Sequence, residues 1–517
     1  MPFDDFSGGV NWRLPPWHKD MTERKQCVLL QNLRYRSDWV ESILGTRKYQ
    51  STSVGTDPIT AIMPYYNDQT DDFSLLMASG SKVYRKNQST NEFDTIASGL
   101  SLNSIYSSVI RHGVMYIPSV KDGLKKYLGG TQLESVGGGD TAPGSFRYII
   151  YMKENDRLFG ISDDAIFGQI SWCDLGDPET WDGASVERIK LEYGERVEGA
   201  EILYGKLIIF CTYSVWIYYV SGNEENWRLE KAPTNIGCVA PNTIKKVGNE
   251  IYYLGESPRN RLGVYAFNGS TSRYLTDDMF PFINLCNRNK LRNACAEVHD
   301  DLYTFTLAIG ASETNNYCLD LDLLQSKADG TPAIFGPHPF GFFSACVLDG
   351  RKNNKQFLMG DQQDGFVYYE NGNSFKSTNG GSDGQLMQGR FLSMVHNDGN
   401  FETMRRYENL FVNFRPRGFF NAKVNYYLST GTYGTTMDFN PNAQAVGFAG
   451  DFNIYEKYFY GTPELYKFWE PLGAGALGTS IQIEIVNDNI GERIAFDAYG
   501  YSKTDLHTVK RAQLYAD

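Results

Sequence analysis

Apolar and polar positions along this chain follow a short recurring figure rather than a helical period. Leu207-Ile208-Ile209-Phe210 is followed by a polar break at Thr212 and Ser214 and then by Val215-Trp216-Ile217-Tyr218-Tyr219. Forty-four residues later the figure returns as Ile251-Tyr252-Tyr253-Leu254, then Val264-Tyr265-Ala266-Phe267 running into Asn268-Gly269. Two runs of β-branched and aromatic residues around a polar turn predict a hairpin. The flanking segments Trp227-Arg228-Leu229-Glu230 and Thr243-Ile244-Lys245-Lys246-Val247 alternate apolar with polar residues, the period of a strand with one buried face. The predicted unit therefore has four strands.

The unit repeats. Its first central strand is read at residues 75–77, 114–117, 158–161, 207–210, 251–254, 302–305 and 357–359, at intervals between 39 and 55 residues. Each is answered by a second run, at residues 83–84, 124–127, 166–172, 215–219, 264–267, 317–321 and 366–369. A period of roughly 40–50 residues with four strands per unit is that of a β-propeller, whereas stacked sandwiches repeat at about 100 residues. The expected fold is all-β: a propeller of about seven four-stranded blades over residues 55–384, followed by a C-terminal β-sandwich or small barrel over 385–517. The second domain is read from the longer alternating runs Ala422-Lys423-Val424-Asn425-Tyr426-Tyr427-Leu428, Ile481-Gln482-Ile483-Glu484-Ile485 and Ile494-Ala495-Phe496-Asp497-Ala498. Residues 1–54 do not fit the repeat and are expected as an N-terminal arm. There Pro15 and Pro16 stiffen the segment carrying Trp12 and Trp17. The ordinary reading of such an arm is packing on its own domain; the alternative, that it reaches a neighbouring subunit, makes Trp12 and Trp17 the candidate subunit-interface residues.

Composition agrees with this reading. Aromatic residues make up 14% of the 517 positions, glycines number 51, and ten Asp-Gly or Asn-Gly steps supply turn chemistry for tight hairpins. No stretch of about 20 apolar residues is present, so no helical membrane span is expected. The opening Met1-Pro2-Phe3-Asp4-Asp5 does not look like a secretory signal. Eight scattered cysteines without a Cys-x-x-Cys pair suggest buried, reduced thiols in a protein made in a cytoplasm. The net charge of −12 argues against tight nucleic-acid binding.

Catalytic signatures are missing. The six histidines (18, 112, 299, 338, 396, 507) show no metal-ligand spacing, and there is no Gly-x-Ser-x-Gly elbow, Walker loop or dinucleotide fingerprint. Residues 171–181 place Ser, Asp and Trp at the wrong offsets for a sialidase Asp-box. The carboxylate pairs Asp71-Asp72, Asp163-Asp164, Asp277-Asp278 and Asp300-Asp301 leave a glycoside hydrolase as an alternative, with solvated turns as the ordinary reading. Asp361-Gln362-Gln363-Asp364-Gly365 lacks the ligand series of a calcium loop and reads as a hairpin turn. The expectation is no enzyme, no catalytic residue, no cofactor and no metal.

Several phrases carry a family resemblance. Asn32-Leu33-Arg34-Tyr35-Arg36 followed by Gly45-Thr46-Arg47-Lys48-Tyr49 resembles the opening of bacteriophage tail hub or nozzle (stabilisation) proteins of short-tailed phages. The segment Trp172 to Trp181 is similar to the Asp-Pro-x-x-Trp turn of their propellers, and residues 235–241, 247–254 and 274–276 match their style. The likeness spans about residues 25–375. It departs at Ser37-Asp38-Trp39-Val40, where a glycine turn is usual, and at Glu41-Ser42-Ile43-Leu44, where an Arg-Pro pair is common. The resemblance implies a non-catalytic virion protein of the phage tail, made in the host bacterial cytoplasm. It implies a homo-oligomeric ring, commonly a hexamer, below the portal-adaptor proteins. It also implies contact with tail fibre or other tail proteins, and genomic DNA passing through a channel without sequence-specific binding. A receptor- or glycan-binding propeller, with Trp216 or Trp469 stacking on sugar, remains the other reading.

Overall fold

The computed structural model describes residues 2–36, 38–67, 69–137, 146–161, 168–192, 194–327, 329–350, 354–371, 376–377, 385–415, 422–431, 433–435, 466–472, 475–487 and 494–508. The chain is a β-propeller joined to a two-sheet β-domain. Among the described residues, seven antiparallel meander sheets follow one another, sheets one to seven, bounded by residues 59–97, 109–135, 148–188, 197–231, 237–274, 295–338 and 344–371. In sheet four, Val197–Leu203, Lys206–Cys211, Val215–Tyr219 and Arg228–Lys231 lie in sequence order. Every first central run of the sequence repeat falls on the second strand of a sheet, and every second run bears on the third. These middle strands are paired on both sides and covered on both faces, so they are apolar almost throughout: all six residues of Leu262–Phe267 are buried. Outer strands such as Arg228–Lys231 are mostly exposed, which is why they read as polar.

Turns between first and second strands are two residues long in sheets two, four and six. His112-Gly113, Tyr204-Gly205 and Asp300-Asp301 all take positive φ there, as a twist-matched hairpin requires. The Asp-Gly and Asn-Gly steps behave differently from expectation. Among the described residues, only Asp398-Gly399 has both residues at positive φ; at 122–123, 268–269, 329–330 and 364–365 the glycine alone does. In two of these turns the side chain caps the loop instead: Asn268 Oδ1 accepts from the amides of Ser270 and Thr271 at 3.0 Å each, and Asp329 Oδ1 accepts from the amide of Thr331.

Neighbouring sheets share apolar layers. One cluster joins sheets one and two through Met63, Tyr65, Met115 and Tyr127. Another joins sheets seven and one through Ile59, Leu75, Leu358 and Val367, which closes the ring. Closure also uses a strand outside the repeat. Sheet seven is Ser344–Gly350, Asn354–Gly360 and Val367–Asn371, and its outer strand is Gly45–Lys48, antiparallel to the third. Just beyond it, buried Gln50 receives the amide of Val367 at 3.2 Å and donates to the carbonyl of Gly365 at 3.2 Å. A propeller clasped this way leaves no gap between its last and first sheets.

The second domain contains two sheets. One has the order Tyr466–Pro471, Thr403–Phe414, Ala495–Thr508, Trp39–Ser42, Leu33–Arg36; the other has Leu29–Gln31, Gly389–Leu392, Ile481–Asn487, Lys423–Leu428, Tyr433–Thr435. Alternation along Thr403–Phe414 places Tyr407, Leu410, Val412 and Phe414 in a shared core with Phe391, Ile483, Ile485 and Phe496. The N-terminal segment expected as an arm is thus divided: residues 29–42 supply three strands to this domain, and 45–48 supply one to the propeller. The reason is edge pairing, since these strands satisfy backbone groups that the two domains otherwise expose. The same core cluster continues through Leu30, Leu33 and Tyr35 into Ile334 and Phe335 of sheet six.

All eight cysteines are buried, and none is paired with another. No helix among the described residues is long and apolar enough to cross a membrane.

Candidate functional site

The candidate interface tryptophans sit where the N-terminal segment crosses the seam between the two domains. Trp12 is fixed from two sides: its Nε1–H donates to the carbonyl of Val28 at 2.8 Å, and its ring meets Phe282 edge-on at 5.1 Å. Its backbone amide donates to the carbonyl of Asp278 at 2.8 Å. Past Pro15 and Pro16, a short helix, Lys19–Glu23, starts at His18, whose Nδ1 accepts from the amide of Asp20. The carbonyl of Pro16 accepts from the amide of Val395, which ties the turn to the second domain. Trp17 is 52% exposed and Trp12 36%. The segment therefore packs on its own chain while leaving one large aromatic face outward, the amphipathic presentation typical of an interface anchor.

Beneath this face lies a saturated polar centre. The buried carboxylate of Asp278 accepts from Lys327 Nζ at 2.6 Å, Gln26 Nε2 at 2.8 Å and Asn11 Nδ2 at 3.1 Å. Asn11 Oδ1 in turn accepts the amides of Arg13 and Leu14. Neighbouring Asp277 pairs with Arg13 and Arg261. The Asp277-Asp278 pair thus anchors the segment, and its oxygens are committed to that work.

The other carboxylates considered from sequence are mostly accounted for in the same way. Asp71 accepts from Tyr66 in an exposed turn, and Asp72 accepts from Thr70. Asp163-Asp164 lies outside the described residues. Asp361 caps a turn by accepting the amides of Gln363 and Asp364, consistent with a hairpin. In the 171–181 segment Asp177 accepts from the amide of Glu179 and the hydroxyl of Thr180, and buried Trp181 packs on Phe146 at 5.0 Å. Asp300-Asp301 forms the two-residue turn between the first two strands of sheet six. Trp216 is half-buried against the core between sheets three and four, with its Nε1–H on Ser214, which is the packing role rather than a free ring. Trp469 falls on the strand Tyr466–Pro471.

First strands of most successive sheets lie side by side around the propeller, and several charges on and beside them are paired. Fully buried Glu198 bonds Arg196 at 2.5 Å and Arg292 at 2.9 Å. Lys245 meets Glu297 at 2.7 Å; burial disfavours the ammonium, but Glu297 outweighs it and Lys245 holds its proton more tightly than an ordinary lysine. At the rim, Arg111 grips Asp156 through two bonds of 2.9 and 2.7 Å. That contact leads the causes that bring Asp156 down to about 2.

No protein-family profile and no curated protein matches the chain. Among solved structures, it is similar at 12% identity to YCF48 bound to a D1 peptide, over 66% of this chain and 99% of that one, with a TM-score of 0.38. It is also similar, at 11% identity and a TM-score of 0.34, to the extracellular domain of a hybrid two-component system from B. thetaiotaomicron. That match covers 74% of this chain and 43% of the other, so the chain spans less than half of that protein's length.

Proposed function

We propose that the chain is a structural virion protein of a bacteriophage tail, a hub or nozzle subunit whose copies form a ring below the portal-adaptor complex and extend the DNA path. The observation that carries this reading is the place of the residues bearing the family resemblance. Asn32 to Arg36 and Gly45 to Tyr49 are the stretch that pairs into both domains and clasps the propeller. A segment used this way fixes the two bodies against each other, which suits a load-bearing part of an assembly. Among the described residues, most of the carboxylates considered for catalysis are spent on turns and anchors, which fits a part that performs no chemistry.

Charge supports the conduit role. Duplex DNA carries one charge per roughly 1.7 Å of axis, so a basic wall would retain it. A chain of net charge −12 repels it instead. The two unlike domains offer the head-to-tail contacts from which a ring is built, and exposed Trp17 beside Trp12 supplies an anchor for one of them.

An electron-microscopy map of the assembled particle tests this. The expected result is six copies around the tail axis, each contact burying at least about 1,000 Å², Trp17 covered by a neighbour, and a channel wall richer in Asp and Glu than in Lys and Arg. A chain found away from the axis, or a channel lined by Lys and Arg, overturns the proposal.

A further inference from the structure

A second polar centre lies where sheets six and seven meet, and it is not saturated. Buried Asp320, on the third strand of sheet six, accepts the hydroxyl of Thr304 at 2.7 Å through Oδ1 and faces His338 Nε2 at 3.3 Å through Oδ2. His338 Nδ1 accepts the amide of Asn32, so that ring's proton is on the Nε2 side, toward Asp320. Because Thr304 gives its only proton to Asp320, its oxygen is an acceptor for His299 Nε2, 3.0 Å away. The relay fixes the tautomer of His299: Nε2 carries the hydrogen and Nδ1 carries a bare lone pair.

That nitrogen has no partner. His299 is 7% exposed and stacks on Phe357 at 3.9 Å, and its Nδ1 is buried without a hydrogen bond. Two carboxylates stand beside the ring: Asp300, next in the chain on the hairpin turn, and Glu370, on the third strand of sheet seven. One ligand atom from each of the three residues lies within 4.8 Å of the others. The Glu370 carboxylate receives no hydrogen bond among the described residues, Arg34 included. Burial pushes its proton affinity up, against the pull of His299 and Arg34.

We propose that His299, Asp300 and Glu370 bind a divalent transition-metal cation of the zinc class, pinning sheet six to the sheet that closes the propeller. A histidine whose far nitrogen donates into a hydroxyl–carboxylate relay is the usual outer arrangement of a metal-ligating imidazole. One imidazole with two carboxylates favours zinc-like ions over calcium or magnesium, which prefer oxygen alone. Ligand bonds of about 2.0–2.2 Å put donors roughly 3.4 Å apart, within reach of a small side-chain rotation of exposed Asp300. Three protein ligands leave a fourth position for water. The site links a strand end and turn at residues 299–300 to a strand at 370, and Glu370 lies opposite Thr46 of the clasp strand.

The test uses the full chain, stripped with a chelator and titrated with zinc chloride by calorimetry, with melting followed in parallel. The expected result is one zinc per chain and a raised Tm. Asp300→Asn, which keeps a residue tolerant of positive φ, and Glu370→Gln each abolish uptake in the micromolar range. Thr304→Val, which frees the His299 tautomer, weakens it about 10–100-fold. Asp301→Asn on the same turn leaves binding unchanged. Absence of stoichiometric uptake overturns the proposal, as does uptake indifferent to both Asp300→Asn and Glu370→Gln.

Discussion

Six of the seven described propeller sheets are each cut from one contiguous stretch of chain, whereas the seventh takes its outer strand from residues 45–48. The contact partners Gln50 and Val367 are 317 residues apart in sequence. A sheet built locally forms whenever its own hairpins form. The seventh requires the whole ring to be in place first, and the loop closure it needs is the longest in the propeller. The strand just before the clasp belongs to the second domain, so closing the ring and docking that domain are one event. The fasteners on this segment differ too: the Asp278 centre has every oxygen committed, while the Asp320 relay ends at an unpartnered nitrogen. The first has its carboxylate fully hydrogen-bonded, while the second leaves His299 Nδ1 without a hydrogen bond.

The largest effect expected from breaking this comparison is at Asp278. Asp278→Ala strands Lys327, whose side chain is 6% exposed, without its counter-ion. A buried charge left alone costs about 3–5 kcal/mol, read as a lower midpoint in urea. Asp72→Ala in an exposed turn is expected to stay within about 0.5 kcal/mol of the parent.

A smaller effect separates the two ends of the segment by pH. In the second domain His396 is buried, with its Nε2 3.0 Å from the Tyr499 hydroxyl and its ring 4.0 Å from Phe3 of the first strand. Burial brings its imidazole down to about 3, against a pull from Asp398. An unfolded histidine titrates near 6.5, so below that pH the unfolded chain binds a proton that the native chain refuses. Stability is therefore lost as pH falls from about 6.5 toward 3, by up to roughly 1.4 kcal/mol per pH unit. Between pH 6.5 and 5 the chain is expected to lose about 1.5 kcal/mol more than His396→Gln does. Equal slopes for parent and variant contradict this.

The propeller was legible because its middle strands are buried on both faces and so stand out as apolar runs at a regular interval. The N-terminal strands were not. Leu33-Arg34-Tyr35-Arg36 and Gly45-Thr46-Arg47-Lys48 are short edge strands whose register is set by partners hundreds of residues away, and they leave no period in the chain. The tryptophans at 12 and 17 were found by their prolines, and Trp17 does face outward. The cluster at 299, 300 and 370 was hidden for a related reason. Ligand spacing reveals sites built within one hairpin or helix, and here Glu370 arrives from the next sheet. The one local signal was Asp300-Asp301 after a histidine, which reads equally well as a turn.

Hydrogen exchange on the native chain tests most directly the claim that the N-terminal segment is an integral clasp. Amides in residues 29–36 and 45–50 are expected to exchange as slowly as those of Lys206–Cys211, at the rate set by global unfolding. Exchange of residues 29–50 within minutes, while Lys206–Cys211 stays protected, would show an arm laid on a propeller that closes without it.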